Sequence, residues 1–330
     1  VELCIEFAVQ VSRGPHNGRT MILYKFTSPN IGEKILLDRF IRFSQIAVLN
    51  DPFDGVPSVS EFFSEEQIQP FLDQMINAST VLQDVLERTL AESYERIPAG
   101  LRFLFTKSQW VEYARPHVLL ELQRQQMEAD LPLSGLVLTR MSGNAESYRQ
   151  DTERMLRGFI SSNLGVFSIS AKFDHQLLWS HYADAHRGIA IGFDGDHAYY
   201  ADARPVTYVT SRPSISMRES FQTKEKQQYA ADTIVFTKHV DWLYEQEYRM
   251  IRPLQNAQKS DEVDALGYPV CLFPFPESCV REVILGARIA PEAVHSIKSV
   301  LSGEPYRHVR LYRAACSQTD FSIGLFPDAA

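Results

Sequence analysis

Apolar positions along the chain follow two different regimes. Near the start, "MILYKFTS" is a short apolar run with a single charge and predicts a strand from Met21 to Phe26. "PNIGEKILLDRF" follows with proline at its head and Ile35, Leu36 and Phe40 recurring on one side, which predicts a helix. "IRFSQI" predicts a second strand, closed by the turn-rich "NDPFDG". From about Ser64 to Ser162 the pattern becomes long, Gln/Glu/Leu-rich and helix-periodic, with breaks at "IPAG", "ARPH" and "LPLSGL". Strand-like runs then return in "GVFSIS", "GIAIGFD", "PVTYVTS", "WLYEQEYRMI", "YPVCLFPF", "VREVILGARI" and "HVRLYRA". A short helix in "HQLLWSHYAD" and another from Pro291 to Leu301 interrupt them.

Strands at both ends with helices gathered between them predict an α+β fold: a mixed or antiparallel sheet core carrying a helical insertion at about 64–162, within a single domain over residues 21–330. Steady βαβ alternation is missing, and neither GxGxxG nor GxxxxGK[ST] occurs in "GVFSISAKFDHQLLWSHYADAHRG", which excludes a Rossmann or Walker phosphate loop there. Residues 1–20 precede the first methionine, contain Gly-Pro and Asn-Gly and show little periodicity, so upstream sequence or a loose tail is expected.

Composition narrows the function classes. A net charge of −8 argues against a broad nucleic-acid-binding surface, because phosphate binding rests on clustered Lys and Arg. Without an 18-residue apolar run or a basic leader followed by an apolar core, the expectation is a cytoplasmic protein with no membrane partner. Cys4, Cys271, Cys279 and Cys316 form no CxxC and no zinc-like Cys/His spacing, so reduced thiols and no metal site are expected. His181 and His186 lie five apart, about 140° round a helix, too far to act as a zinc-binding pair.

Four stretches are richer in polar and aromatic residues than packing requires. "ILYKFTS" sets Tyr24 and Lys25 in an apolar strand, and "LNDPFDG" crowds Asn50, Asp51 and Asp54 into a turn whose Pro52 spoils a calcium-loop reading. In the third, Ser168 and Ser170 alternate on a strand, and His175, Trp179, Tyr182 and His186 follow at helical spacing. In the fourth, read as a strand, Glu245, Glu247 and Arg249 share one face, and Arg249 offers pairing to two carboxylates that otherwise repel.

Taken in this order, "LYKFTS", "NDPFDG", "SIS" with "LLWSHYADAHRGIAIGFD", and "WLYEQEYR" resemble a bacterial family known as domain of unknown function 2971, over roughly Met21 to Arg252. A second, motif-level similarity joins Glu245-Gln246-Glu247 to the E-x-E motif of ADP-ribosyltransferases. That similarity implies an NAD-using transferase or glycohydrolase. Glu247 would stabilise an oxocarbenium-like transition state, Glu245 would orient or deprotonate an acceptor, and Arg249 would stand beside them. The implied cofactor-binding set is Tyr24, Lys25, Ser168, Ser170, Trp179, His181 and Tyr182, with Asn50, Asp51 and Asp54 elsewhere in the pocket. Two other readings stay open: a Mg-dependent nuclease or defence effector built on Asp51, Asp54, Glu245 and Glu247, and a non-catalytic sensor with an aromatic pocket at Trp179 and Tyr182.

Overall fold

The computed structural model describes residues 20–56, 58–61, 80–97, 106–112, 114–115, 118, 150, 153–154, 157–158, 160–220 and 222–328. All but the last residue of the expected tail at 1–20 and most of the expected insertion at 64–162 lie outside these residues. In chain order the strands begin with β1 (Ile22–Thr27), β2 (Phe40–Arg42), β3 (Ser44–Gln45), β4 (Ser58–Glu61), β5 (Leu164–Ser170) and β6 (Ile189–Asp194). They continue with β7 (Arg204–Pro205), β8 (Thr207–Val209), β9 (Ser214–Ser216), β10 (Thr237–His239) and β11 (Glu247–Pro253). The last are β12 (Gln258–Val263), β13 (Pro269–Pro274), β14 (Val280–Leu285), β15 (Arg310–Cys316) and β16 (Ile323–Pro327).

The chain divides into two compact units. The first draws on residues within 55–163 and 213–234. Its described parts include the parallel pair β4–β9 and the helix Thr80–Glu95, where Leu86 and Leu90 pack with Ala114 and Val118. The indole of Trp110 donates to Ser93 Oγ at 3.0 Å within this unit.

The second unit holds the main sheet, ordered β16-β15-β14-β6-β1-β5-β11-β7, with β3 also paired to β5. Within this sheet only β14 and β15 run parallel among the described residues; the other pairs are antiparallel, giving an α+β fold as expected. Side-chain alternation sorts β1 between two cores. Leu23 joins Ile35, Leu36, Ile297 and Leu301 under the helices Pro29–Asp38 and Pro291–Leu301, while Tyr24 and Phe26 join Leu178 and Trp179 from the helix Gln176–Tyr182 on the opposite face.

Two local expectations need correcting. The first helix stops at Asp38 because Arg39 turns left-handed (φ 58°) and its N–H returns to Ile35 O; Phe40 therefore opens β2 rather than extending the helical stripe. The single strand expected over "IRFSQI" is two, with β2 paired to β13 in a smaller sheet and β3 paired to β5 in the main one.

The main sheet is not evenly paired along β5. Between β1 and β5 the pairing rests on Tyr24 opposite Ser170, after which β5 takes β3 as its neighbour at Val166 and Gly165. The sheet splits there, and a cleft opens at the split.

Candidate functional site

A row of paired residues crosses the sheet: Glu247 on β11 lies opposite Ser170 on β5, Ser170 opposite Tyr24 on β1, Tyr24 opposite Gly192 on β6, and Gly192 opposite Glu282 on β14. Directly opposed residues share a face, so the row puts Tyr24, Ser170 and Glu247 on the same side of three neighbouring strands. The Tyr24 hydroxyl donates to Glu282 Oε1 at 2.8 Å, and Arg310 completes the chain by donating to Glu282 Oε2 at 2.8 Å. Gly192 makes that reach possible, since a Cβ there would stand 2.8 Å from Glu282 Cγ and 3.1 Å from the Tyr24 ring. Burial, then the Glu282 charge, pushes the Tyr24 phenol far above its ordinary value, so it remains a donor.

The cleft at the split has a volume of about 240 Å³. Phe26, Leu178, Val48 and Leu49 supply its apolar wall; Tyr24, Lys25, Asn50, Asp54, Ser168, Ser170, Tyr182, Lys238, Glu245, Glu247 and Arg249 supply the polar one. All lie within the second unit.

Arg249 anchors the polar wall. Its Nε donates to Glu247 Oε1 (2.7 Å), one terminal nitrogen to Asp54 Oδ1 (2.8 Å) and Val235 O (2.5 Å), and the other to Asp54 Oδ2 (2.5 Å) and Glu247 Oε2 (3.0 Å). All five guanidinium N–H groups are thereby used, which is what a fully buried arginine requires. Lys238, also buried, donates to Glu245 Oε2 (2.6 Å) and Glu247 Oε2 (3.1 Å). Although burial opposes its charge, Glu247 and Glu245 hold its pKa above the ordinary lysine value.

The two glutamates differ in what they have left to offer. Glu247 accepts twice from Arg249 and once from Lys238, so three charge-assisted hydrogen bonds from two cations hold it. Its own N–H donates to the Tyr208 hydroxyl at 2.9 Å. Burial alone would raise its pKa, but Arg249 and then Lys238 outweigh that and hold it at about 2. Among the described residues Glu245 accepts from Lys238 and from the Tyr182 hydroxyl (2.6 Å), and burial raises its pKa above the ordinary value despite Lys238. The Tyr182 hydroxyl in turn accepts from Asn50 Nδ2 at 2.7 Å.

These opposite shifts give opposite acid responses. A depressed carboxylate stabilises the fold above its unfolded pKa and loses that contribution as pH falls through the folded value. The stability advantage of the wild type over Glu247→Gln therefore declines between about pH 4.5 and 2, by up to about 3 kcal/mol. Glu245, with its raised pKa, contributes stability at low pH that is lost as pH rises, so the wild type gains on Glu245→Gln as pH falls towards the ordinary glutamate value, above the window in which Glu247 acts. Urea unfolding at a series of pH values checks both slopes.

Several expected placements change. Glu245 is not on the strand: it ends the 3-10 helix Val240–Glu245, and Gln246, left-handed at φ 41°, turns the chain into β11. Ser170 Oγ holds this turn by donating to the Glu245 carbonyl (2.5 Å), so both glutamates still reach the cleft. The Glu247/Arg249 face is buried, because β11 lies between β5 and β7. Trp179 is fully buried, with its indole donating to Phe173 O (2.6 Å) and its ring set edge-on to Phe26, and it does not line the cleft. His181 is exposed on the seven-residue helix, one position from Tyr182 and hence about 100° away from it. Helical spacing also fails beyond Tyr182: Asp184, Ala185 and His186 are left-handed, and His186 stacks near Trp179 after the helix has ended. Asp51 is buried, accepts from Phe53 N–H (2.9 Å) within its own turn, and is not part of the cleft wall. Among the described residues no group of three or more His, Cys, Asp or Glu side chains is disposed to hold a metal ion.

Lys238 and Tyr208 were missed by sequence reasoning. Lys238 stands alone in the short "FTKHVDW", where a lysine in a three-residue strand reads as an ordinary edge charge. Its position nine residues before Glu247 acquires meaning only once Val240–Glu245 coils between them.

Residues 178–250 match the family model described as protein of unknown function (DUF2971), so the resemblance drawn from the motifs is shown over that segment. Neither the curated proteins nor the solved structures compared with the chain give a match. No helix among the described residues is long and apolar enough to cross a membrane.

Proposed function

We propose that the cleft binds the nicotinamide-ribose portion of NAD and that the protein is an ADP-ribosyltransferase-like enzyme or NAD glycohydrolase, with Glu245 as the reacting carboxylate. One observation carries this reading. Of the two carboxylates on the wall, Glu247 is held by two cations through three hydrogen bonds, whereas Glu245 accepts from one cation and one phenol. A ribosyl cation developing in the cleft would find its stabilising negative charge at Glu245, already oriented by Tyr182 and Lys238. Glu247 then serves to hold Lys238 and Arg249 in place, a reversal of the roles implied by the E-x-E similarity.

Size agrees with a partial fit. Sites for drug-sized ligands enclose roughly 300–1,000 Å³. At about 240 Å³ this cleft suits a ring and a sugar, with the remainder of a dinucleotide outside.

The magnesium-dependent reading is less favoured, because Asp54 and Glu247 are committed to Arg249 and Asp51 lies off the wall. A binding-only protein is the second reading, favoured by the near balance of charge on the buried wall: Asp54, Glu245 and Glu247 against Lys238 and Arg249. Calorimetric titration with NAD and, separately, with nicotinamide riboside tests whether the cleft is occupied at all. Saturable binding of both, weakened by Tyr182→Phe, is expected; no heat from either ligand removes the NAD reading.

A further inference from the structure

The cleft contains two lysines in contrasting states. Lys238 is tied to carboxylates. Lys25, at the centre of β1 and half-buried, makes no ion pair among the described residues. Its Nζ donates one hydrogen bond, to Ser168 O at 3.1 Å, and sits 5.2 Å from the centroid of the Phe167 ring. Both contacts come from β5, across the gap where the sheet splits. The carbonyl and the ring fix the nitrogen in place, and among the described residues no carboxylate stands within ion-pair distance of it.

We propose that Lys25 is a reactive amine that captures small aldehydes entering the cleft as imines. A lysine becomes a nucleophile when desolvation, or a neighbouring cation, favours its neutral form. Both influences act here. Burial is the larger and pulls the amine below its ordinary range; Arg42 adds to it, while Glu247 and Glu245 oppose it from the far wall. The neutral nitrogen adds to the carbonyl carbon to give a carbinolamine. The former carbonyl oxygen then leaves as water, taking both hydrogens that the amine gives up, and the C=N bond forms with no change in oxidation state.

This assignment stands apart from NAD chemistry, and its test is separate. The unaltered protein is incubated at pH 7 with glycolaldehyde and sodium cyanoborohydride, which reduces each imine to a stable amine, and adducts are located by peptide mass mapping over time. Lys25 should be modified at least about tenfold faster than the exposed Lys34 and Lys224, with the advantage shrinking towards pH 10 as those lysines also lose their protons. Modification of Lys25 no faster than at Lys34 and Lys224, or a preference that does not shrink with rising pH, overturns the proposal. Adduct formation at Lys25 alongside intact NAD would keep this inference and sink the ribosyl-transfer reading; nicotinamide release with an unmodified Lys25 would do the reverse.

Discussion

Replacing Arg249 with Met is expected to cost about 3–5 kcal/mol of folding stability, as removal of one partner from a buried ionic group does. Among the described residues its guanidinium alone reaches Asp54 with side-chain hydrogen bonds, and it gives Glu247 two of its bonds. Lys238 cannot replace it, standing 4.0 Å from Asp54 and already shared between two glutamates. For a domain of ordinary stability, about 5–15 kcal/mol, this is a large fraction. The pH dependence identifies the cause. Without Arg249, Asp54 loses its side-chain donors and Glu247 keeps only Lys238; buried carboxylates short of partners favour their protonated form, so the variant should regain ground against the wild type as pH falls. Adding Asp54→Asn and Glu247→Gln should restore part of the loss at neutral pH. Chemical denaturation of the wild type, the single variant and the combined variants between pH 3 and 8 checks this; a neutral single variant would mean that the network does not hold the wall together.

The second large effect concerns rate. Glu245→Gln keeps an oxygen for Tyr182 or Lys238 but removes the charge, so the fold should survive while turnover falls on the order of a hundredfold or more. Glu247→Gln should show the contrasting profile, with its main loss in stability and any fall in rate following the fraction folded. Parallel rate and melting measurements separate the two. Equal rate losses with unchanged melting in both variants would return Glu247 to the role implied by the motif similarity.

Much of this arrangement was legible in the sequence, for definite reasons. Strand alternation within "LYKF" and "SIS" is a local property, and so is the helix from Pro291 to Leu301; the row Tyr24–Ser170–Glu247 across three strands is set by the register of the sheet. The placement of Glu245 on a strand failed because "YEQEYR" alternates perfectly, while the left-handed turn at Gln246 leaves no mark: glutamine is not a residue that announces positive φ. Trp179 and His181 were misjudged together. A seven-residue helix presents a single narrow face to the cleft, and Leu178 and Tyr182, four apart, occupy it. Trp179 then falls to the core and His181 to solvent. The Arg249–Asp54 pair, 195 positions apart in sequence, is set by the tertiary fold alone.

At the centre of the proposed chemistry stands Glu245, the carboxylate held by one cation and one phenol, on the cleft proposed to receive a ribosyl cation. Nicotinamide released from NAD by the purified, unaltered protein, quantified by chromatography with and without added acceptor protein, tests it most directly. Time-dependent release that scales with protein concentration and is lost in Glu245→Gln is expected. Intact NAD after prolonged incubation at saturating binding, with and without acceptor, would contradict it and leave the cleft as a binding site only.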